Sequence, residues 1–395
     1  MNDFTFHNPT RIEFGPGACD KAGAACAGLG RRALLVAGQG SARRSGLLER
    51  VERSLKSAGV EMVLHEGVRP NPVLGHVREG IAKARAAGTD HLLAVGGGSV
   101  LDSAKAIAAG VAYEGDVWDF FSGGAQVRAA LPLVTVLTLA ATGSEMNGGA
   151  VVTREETKEK TFFSSPHTFP RVSLLDPALT LTLPPEQTAY GLSDACAHLL
   201  EPYCNTLIRR PLVQLELKEA LLRCLVDCGA RLKADPRDLE ARGDFMWSAT
   251  LALNGVTSAG IGPAIFPVHM IEHAVSAVTD IAHGAGLSAL FPGWLRWRLE
   301  QPAAEGHVYR LCRLGARVFG LPEASDERTG ALAAVDALQA WYRAAGSPAT
   351  LDEAGVGRGH FAEIAANAAR QARAWKMADY DEAAIAEILD HSTTS

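Results

Sequence analysis

The chain predicts an α/β domain with a parallel sheet followed by an all-α domain, and three observations carry that expectation. The first half alternates short β-rich runs with Ala-rich helical stretches, as βαβ units do. One of those runs ends in Gly96-Gly97-Gly98-Ser99, with an amphipathic stretch starting at once. After Pro184-Pro185 the texture turns long, Ala- and Leu-rich and helical in period. A chain of 395 residues exceeds what one hydrophobic core organises. The boundary is therefore placed at 1–185 and 186–395, with room for a cleft between the two domains.

Each element follows from its pattern. RALLVAG (32–38) is the first convincing strand, GLLERVERSLKSAG the helix after it, VEMVLHEG the next strand and VREGIAKARAAG the next helix. DHLLAVGGGS supplies a third strand, and LPLVTVLTLAATGSE (131–145) reads as a buried strand running into a loop, because an apolar run stops at a Thr/Gly turn. In the second half, residues 212–234, 327–346 and 361–378 all show helical apolar spacing. No internal repeat or low-complexity tract interrupts the chain.

Composition excludes several roles. The 38 basic and 44 acidic residues are interspersed and leave a net charge of −6, which disfavours nucleic-acid and membrane-surface partners. No stretch approaches the roughly 20 apolar residues of a membrane span. The N-terminus MNDFTFHNPTRIEF has no basic region followed by an apolar run, so nothing marks it for export. Seven scattered cysteines with no CxxC pair are expected to be reduced thiols of a cytoplasmic protein.

In AVGGGSVLDSAKAIA (94–108) the glycines let the backbone approach a ligand, and free N–H groups at a helix start favour a phosphate. This is not the common GxGxxG fingerprint. A plain strand-to-helix turn with Ser99 as N-cap is the competing explanation. VAGQGSARRSG (36–46) follows the first βα strand, where the adenosine ribose of a dinucleotide is expected. That loop holds no carboxylate for a ribose 2'-hydroxyl, whereas Ser41, Arg43 and Arg44 could meet a 2'-phosphate. NADP is thus favoured over NAD, with solvated loop arginines as the alternative.

In GLSDACAHLLEPYCN, Asp194 and His198 are four apart and share a helix face. In HMIEHAVSAVTDIAHGAG, His269 and His273 are again four apart and His283 follows. One carboxylate with several imidazoles suits a first-row divalent ion such as Fe(II) or Zn(II). Cys196 points about 160° from Asp194 around the helix, away from that set. Beside a nicotinamide, such an ion would polarise a carbonyl or stabilise an alkoxide while hydride is transferred. Spacing alone leaves His273 as a ligand, an orienter of one, or a proton relay.

GGGSVLDSAK, TLAATGSE, DACAHLLEPY, the H-x3-H-x9-H-G pattern and the N-terminal FTFHNPTRIEFGPG together resemble the iron-containing alcohol dehydrogenase family. The resemblance runs to about residue 300 and more loosely to the C-terminus. It implies a dinucleotide-binding domain, a helical metal- and substrate-binding domain, and NAD(P)-linked reduction of a small aldehyde or oxidation of a primary alcohol. It makes Asp194, His198, His269 and His283 the metal ligands and puts His273 near the nicotinamide. It implies pyrophosphate contacts from Gly97, Gly98 and Ser99 with Asp102 nearby, and a coenzyme groove completed by Asn71, Thr138, Thr142, Asn147, Lys160 and Leu179. Gly38 stands where NAD-preferring members carry an acid, as in the NADP-dependent aldehyde reductase and butanol dehydrogenase branch. A homodimer is also implied. One departure is AVTDIAHG, where many relatives carry another histidine before the last ligand.

Glycerol dehydrogenase, maleylacetate reductase and dehydroquinate synthase are rival chemistries on a related fold, and a catalytically silent nucleotide-binding protein is a rival of another class. The full ligand set speaks against the metal-free reductase and against the lyase's Glu, His, His. Trp118, Phe121 and Phe266 are candidates for an apolar pocket wall or for ordinary core.

Overall fold

In the computed structural model, which describes residues 1–206, 208, 210–302 and 305–394, the chain forms two compact units. One is His7–Leu183 and the other combines Met1–Phe6 with Pro184–Ser395.

The first unit contains β1 (Arg11–Phe14), α1 (Ala22–Ala27), β2 (Arg32–Gly38), α2 (Ser41–Arg44), α3 (Leu47–Ser57), β3 (Glu61–Val68), α4 (Leu74–Ala87), β4 (His91–Gly96), α5 (Gly98–Val111), α6 (Trp118–Ser122), β5 (Leu133–Leu137), β6 (Gly149–Arg154), β7 (Glu159–Ser164) and β8 (Val172–Leu175). Six strands form one sheet in the order β1-β8-β5-β4-β2-β3, and every pair is parallel. The central strands β4 and β5 are buried along their whole length, which is why they read as continuous apolar runs. Strand order reverses between β2 and β4: β3 lies outside β2, while β5 lies on the far side of β4. Ligands of open α/β sheets sit beyond the carboxyl ends of the strands at such a reversal. Both glycine-rich loops, after β2 and after β4, lie there. An antiparallel hairpin, β6 with β7, stands apart from the sheet and is tied to the segment RPNP (69–72) after β3 by Thr153 N–H donating to the Pro72 carbonyl (2.7 Å).

The second unit is helical: α7 (Pro185–Asn205), α8 (Leu212–Ala234), α9 (Leu239–Ala252), α10 (Pro267–Thr279), α11 (His283–Glu300), α12 (Glu305–Val318), α13 (Glu327–Ala345), α14 (Phe361–Ala374) and α15 (Glu382–His391). Helix α7 is buried on all sides from Leu192 to Cys204, so polar groups on it must find partners inside the unit. Among the described residues no helix is long and apolar enough to cross a membrane.

The units differ from 1–185 and 186–395 at both ends of the first, since Met1–Phe6 and Pro184–Pro185 group with the helical unit. Asn2 N–H donates to the Gly260 carbonyl (2.9 Å). Phe4 lies so close to Gly260 that a Cβ there would be 2.8 Å from its ring.

Candidate metal centre and coenzyme site

Helix α7 carries Asp194 and His198 on one face, and both are buried. Proline at the first position starts α10, which presents His269 and His273 one turn apart; proline is tolerated there because its missing N–H would be unpaired anyway. His283 opens α11. Gly284 explains how α11 reaches α7: a Cβ at this position would stand 2.1 Å from the Tyr190 carbonyl oxygen, so no larger residue allows the helix start to come this near.

The result is convergence on one oxygen. The Nε2 atoms of His198, His269 and His283 lie 3.5, 3.5 and 3.8 Å from Asp194 Oδ1. Ligand atoms about 2.0–2.2 Å from a tetrahedral ion stand about 3.4 Å apart; the distances from Asp194 to His198 and His269 match that, and the donor atoms of these three lie within 4.8 Å of one another, whereas His283 approaches Asp194 but groups with Glu272 and His273. Asp194 Oδ1 and His269 Nε2 are buried and have no hydrogen-bond partner among the described residues, a costly state that a cation relieves. The donor set and its unmet polar atoms fit a divalent metal.

Burial pushes the Asp194 carboxyl upward, but His198, His269 and His283 outweigh that and hold it below the ordinary carboxylate range. Burial pushes His198 down to about 3, aided by the neighbouring imidazoles and opposed by Asp194. His269 goes the other way, since Glu201 and Asp194 outweigh its burial and raise it.

Two carboxylates that the sequence analysis passed over set the geometry. Glu201, fully buried on α7, accepts from His269 Nδ1, from the Val268 N–H (2.6 Å) and from the His269 N–H (3.3 Å). It both caps α10 and turns His269 so that Nε2 faces Asp194. Glu272, also fully buried, accepts from His283 Nδ1 and from Ser276 Oγ. Glu201 lies one turn beyond His198 and Glu272 lies between two histidines of HMIEH, spacings that were visible although their direction was not. A second trio, Glu272, His273 and His283, also brings donor atoms within 4.8 Å of one another. We favour the Asp194 cluster, because the Glu272 carboxylate is already engaged by His283 and Ser276.

His273 is buried, its ring centroid 5.7 Å from that of His283 and 5.8 Å from that of Trp375, which meets it edge-on. Phe266 stands edge-on to His198 and His269. Trp118 and Phe121 instead stack on each other within the α/β unit, with Phe163 against Phe121. Among the described residues, Cys196 is buried on α7 and belongs to neither of the two groups of close-set donor atoms.

At the sheet, α5 starts at Gly98 with Gly97 as its N-cap and no side-chain cap, so Ser99 is not the cap. The glycines also serve packing. A Cβ on Gly98 would fall 2.4 Å from Thr142 Cγ2, and one on Gly97 would fall 3.1 Å from Leu139. Gly98→Ala should therefore displace the 138–147 loop, cost about 1–3 kcal/mol and weaken coenzyme binding. Thermal melting and coenzyme titration check this, and an unchanged variant would refute the packing role.

Asp102 accepts from Ser144 Oγ (2.6 Å) and from the Val151 N–H (3.0 Å), so it braces the loop. Asn147 accepts from Lys105 Nζ (3.0 Å) and donates to the Gly143 carbonyl (2.9 Å). Burial pushes that lysine down to about 8 against the pull of Asp102 and Glu145. Thr138, whose N–H donates to the Gly96 carbonyl (3.0 Å), follows β5. Asn71 adopts a left-handed φ of 51° after β3, and Lys160 Nζ from β7 donates to its Oδ1 (2.9 Å). Leu179 packs against the sheet's apolar core. Gly38 ends β2, and Ser41 and Arg43 are exposed on α2. Arg43 is not a free cation, because it forms a two-pronged pair with Glu66 of β3 (2.8 and 3.3 Å). A carboxylate thus stands beside this loop after all.

Two family models match the chain: iron-containing alcohol dehydrogenase over residues 9–177, and the C-terminal part of the Fe-containing alcohol dehydrogenase family over residues 188–393. The chain is 43% identical over 350 residues to a probable NADH-dependent butanol dehydrogenase 1 of Bacillus subtilis (strain 168), covering 88% of each. It is 35% identical over 366 residues to the NADPH-dependent aldehyde reductase YqhD of Escherichia coli (strain K12), covering 90% of each. A crystal structure of NADH-dependent butanol dehydrogenase A from Thermotoga maritima superposes with a TM-score of 0.94 at 40% identity, covering 100% of this chain and 99% of that one.

Proposed function

The chain belongs to the iron-containing alcohol dehydrogenase family, and on that premise we propose a metal-dependent oxidoreductase that moves a hydride between NAD(P)H and a small aldehyde or primary alcohol, with Asp194, His198, His269 and His283 holding the metal. The observation that carries this is the convergence of three imidazole Nε2 atoms on one buried carboxylate oxygen that has no hydrogen-bond partner among the described residues.

Bound there, an iron or zinc dication supplies electrophilic pull on the substrate oxygen. Glu201 and Glu272 hold the Nδ1 edges of His269 and His283, so both rings keep their Nε2 atoms toward Asp194. Phe266, edge-on to His269, and Trp375, edge-on to His273, border the histidines with apolar rings. His273 delivers a proton to the substrate oxygen during aldehyde reduction and takes one back in the reverse direction. The glycine loops after β2 and β4 receive the coenzyme, and the bonded pair Lys160 and Asn71 belongs to the same coenzyme site. Arg43 engaged by Glu66 weakens the case for NADP that Ser41 and Arg43 make in the sequence. A cytoplasmic homodimer belongs to the same proposal, the location resting on the cysteine pattern and the dimer on the family resemblance alone.

The test is turnover of butyraldehyde with NADH and with NADPH, followed at the nicotinamide absorbance before and after chelation. Chelation should lower the rate about a thousandfold, the equivalent of roughly 4 kcal/mol, and added Fe(II) or Zn(II) should restore it. No turnover with any metal and either coenzyme would sink the proposal.

A further inference from the structure

At a strand end that receives a dinucleotide, a carboxylate accepts from the ribose 2'-hydroxyl, whereas an arginine meets a 2'-phosphate. Here both groups are present and bound to each other. Strands β2 and β3 run in register up to Ala37 opposite Glu66, then shift so that Gly38 faces Val68. Gly67, at φ 112°, supplies the left-handed residue of this irregularity. A hydrogen bond from the His76 ring Nε2 to the Glu66 carbonyl (3.2 Å) pins it, and His76 is itself stacked on His65 with centroids 4.1 Å apart. The Glu66 side chain thereby reaches the loop after β2, where Arg43 Nη2 stands 2.8 Å and Nε 3.3 Å from its two oxygens.

We infer that Glu66 sets the coenzyme preference of this chain, favouring the ribose of NADH over the 2'-phosphate of NADPH. Its carboxylate occupies the guanidinium fork that a 2'-phosphate would need. It also places a like charge beside any phosphate that comes there. The same carboxylate, steadied by Arg43, offers a ribose hydroxyl its acceptor. This rests on the assignment of the β2 and β4 ends to the coenzyme.

The experiment is calorimetric titration of NADH and NADPH into the resting protein, into Glu66→Gln, and into Glu66→Gln combined with Arg43→Ala. Glutamine keeps the volume and removes the charge. In Glu66→Gln the ratio of Kd for NADPH to Kd for NADH should fall at least tenfold, and the fall should shrink as salt is raised. Removing Arg43 from that variant should cancel most of the gain. If both coenzymes bind the unaltered protein and the ratio does not move, or if it moves equally without Arg43, Glu66 does not set the preference. If neither coenzyme binds the unaltered protein, the assignment of the strand ends falls first and this inference falls with it.

Discussion

His269→Ala is expected to strip the metal from the protein and lower kcat/KM at least about a thousandfold, on the order of 4 kcal/mol. The ring is held from both sides, with Nδ1 on Glu201 and Nε2 facing Asp194 at 3.5 Å. Its removal leaves two buried carboxylates short of a partner, which adds a stability loss of about 3–5 kcal/mol. His269→Gln, whose amide can still donate to Glu201, separates loss of metal from loss of fold. Elemental analysis of protein purified without chelator reads the outcome; full occupancy in the alanine variant would overturn the ligand assignment.

His273→Ala should behave differently, keeping its metal while kcat falls by about 10²–10⁴. Its ring lies one turn along α10 from His269 and beside those of His283 and Trp375. Metal content and single-turnover rate, measured on the same preparation, decide the point. Metal loss equal to that of His269→Ala would make His273 a ligand and revive the trio with Glu272 and His283. Normal turnover would leave it a packing residue.

Much of this arrangement could be read before the structure, for identifiable reasons. Strands β2, β4 and β5 are buried on both faces, so burial wrote them as apolar runs. Asp194 with His198, and His269 with His273, were legible because a helix turns spacing four into a shared face. The edge strand β1 (RIEF) and the short β8 (VSLL) carry too few residues for a period to show. The β6–β7 hairpin hides behind the charged turn REETKE, because its strands stand apart from the sheet. Glu66, Glu201 and Glu272 escaped for a common reason: each acts on a group that is distant in sequence or whose orientation depends on packing. Gly98 was read as space for a ligand, and the structure adds Thr142 as a neighbour requiring the same space.

Glu201 has a consequence for anyone wishing to redesign this protein. One carboxylate secures the first turn of α10 and aims a metal-facing imidazole. Ion preference and helix integrity therefore cannot be tuned separately at this position. A substitution chosen to soften the ligand field would also fray the helix bearing His269 and His273, so a library aimed at changing the metal should vary the outer face of the cluster and leave this joint intact.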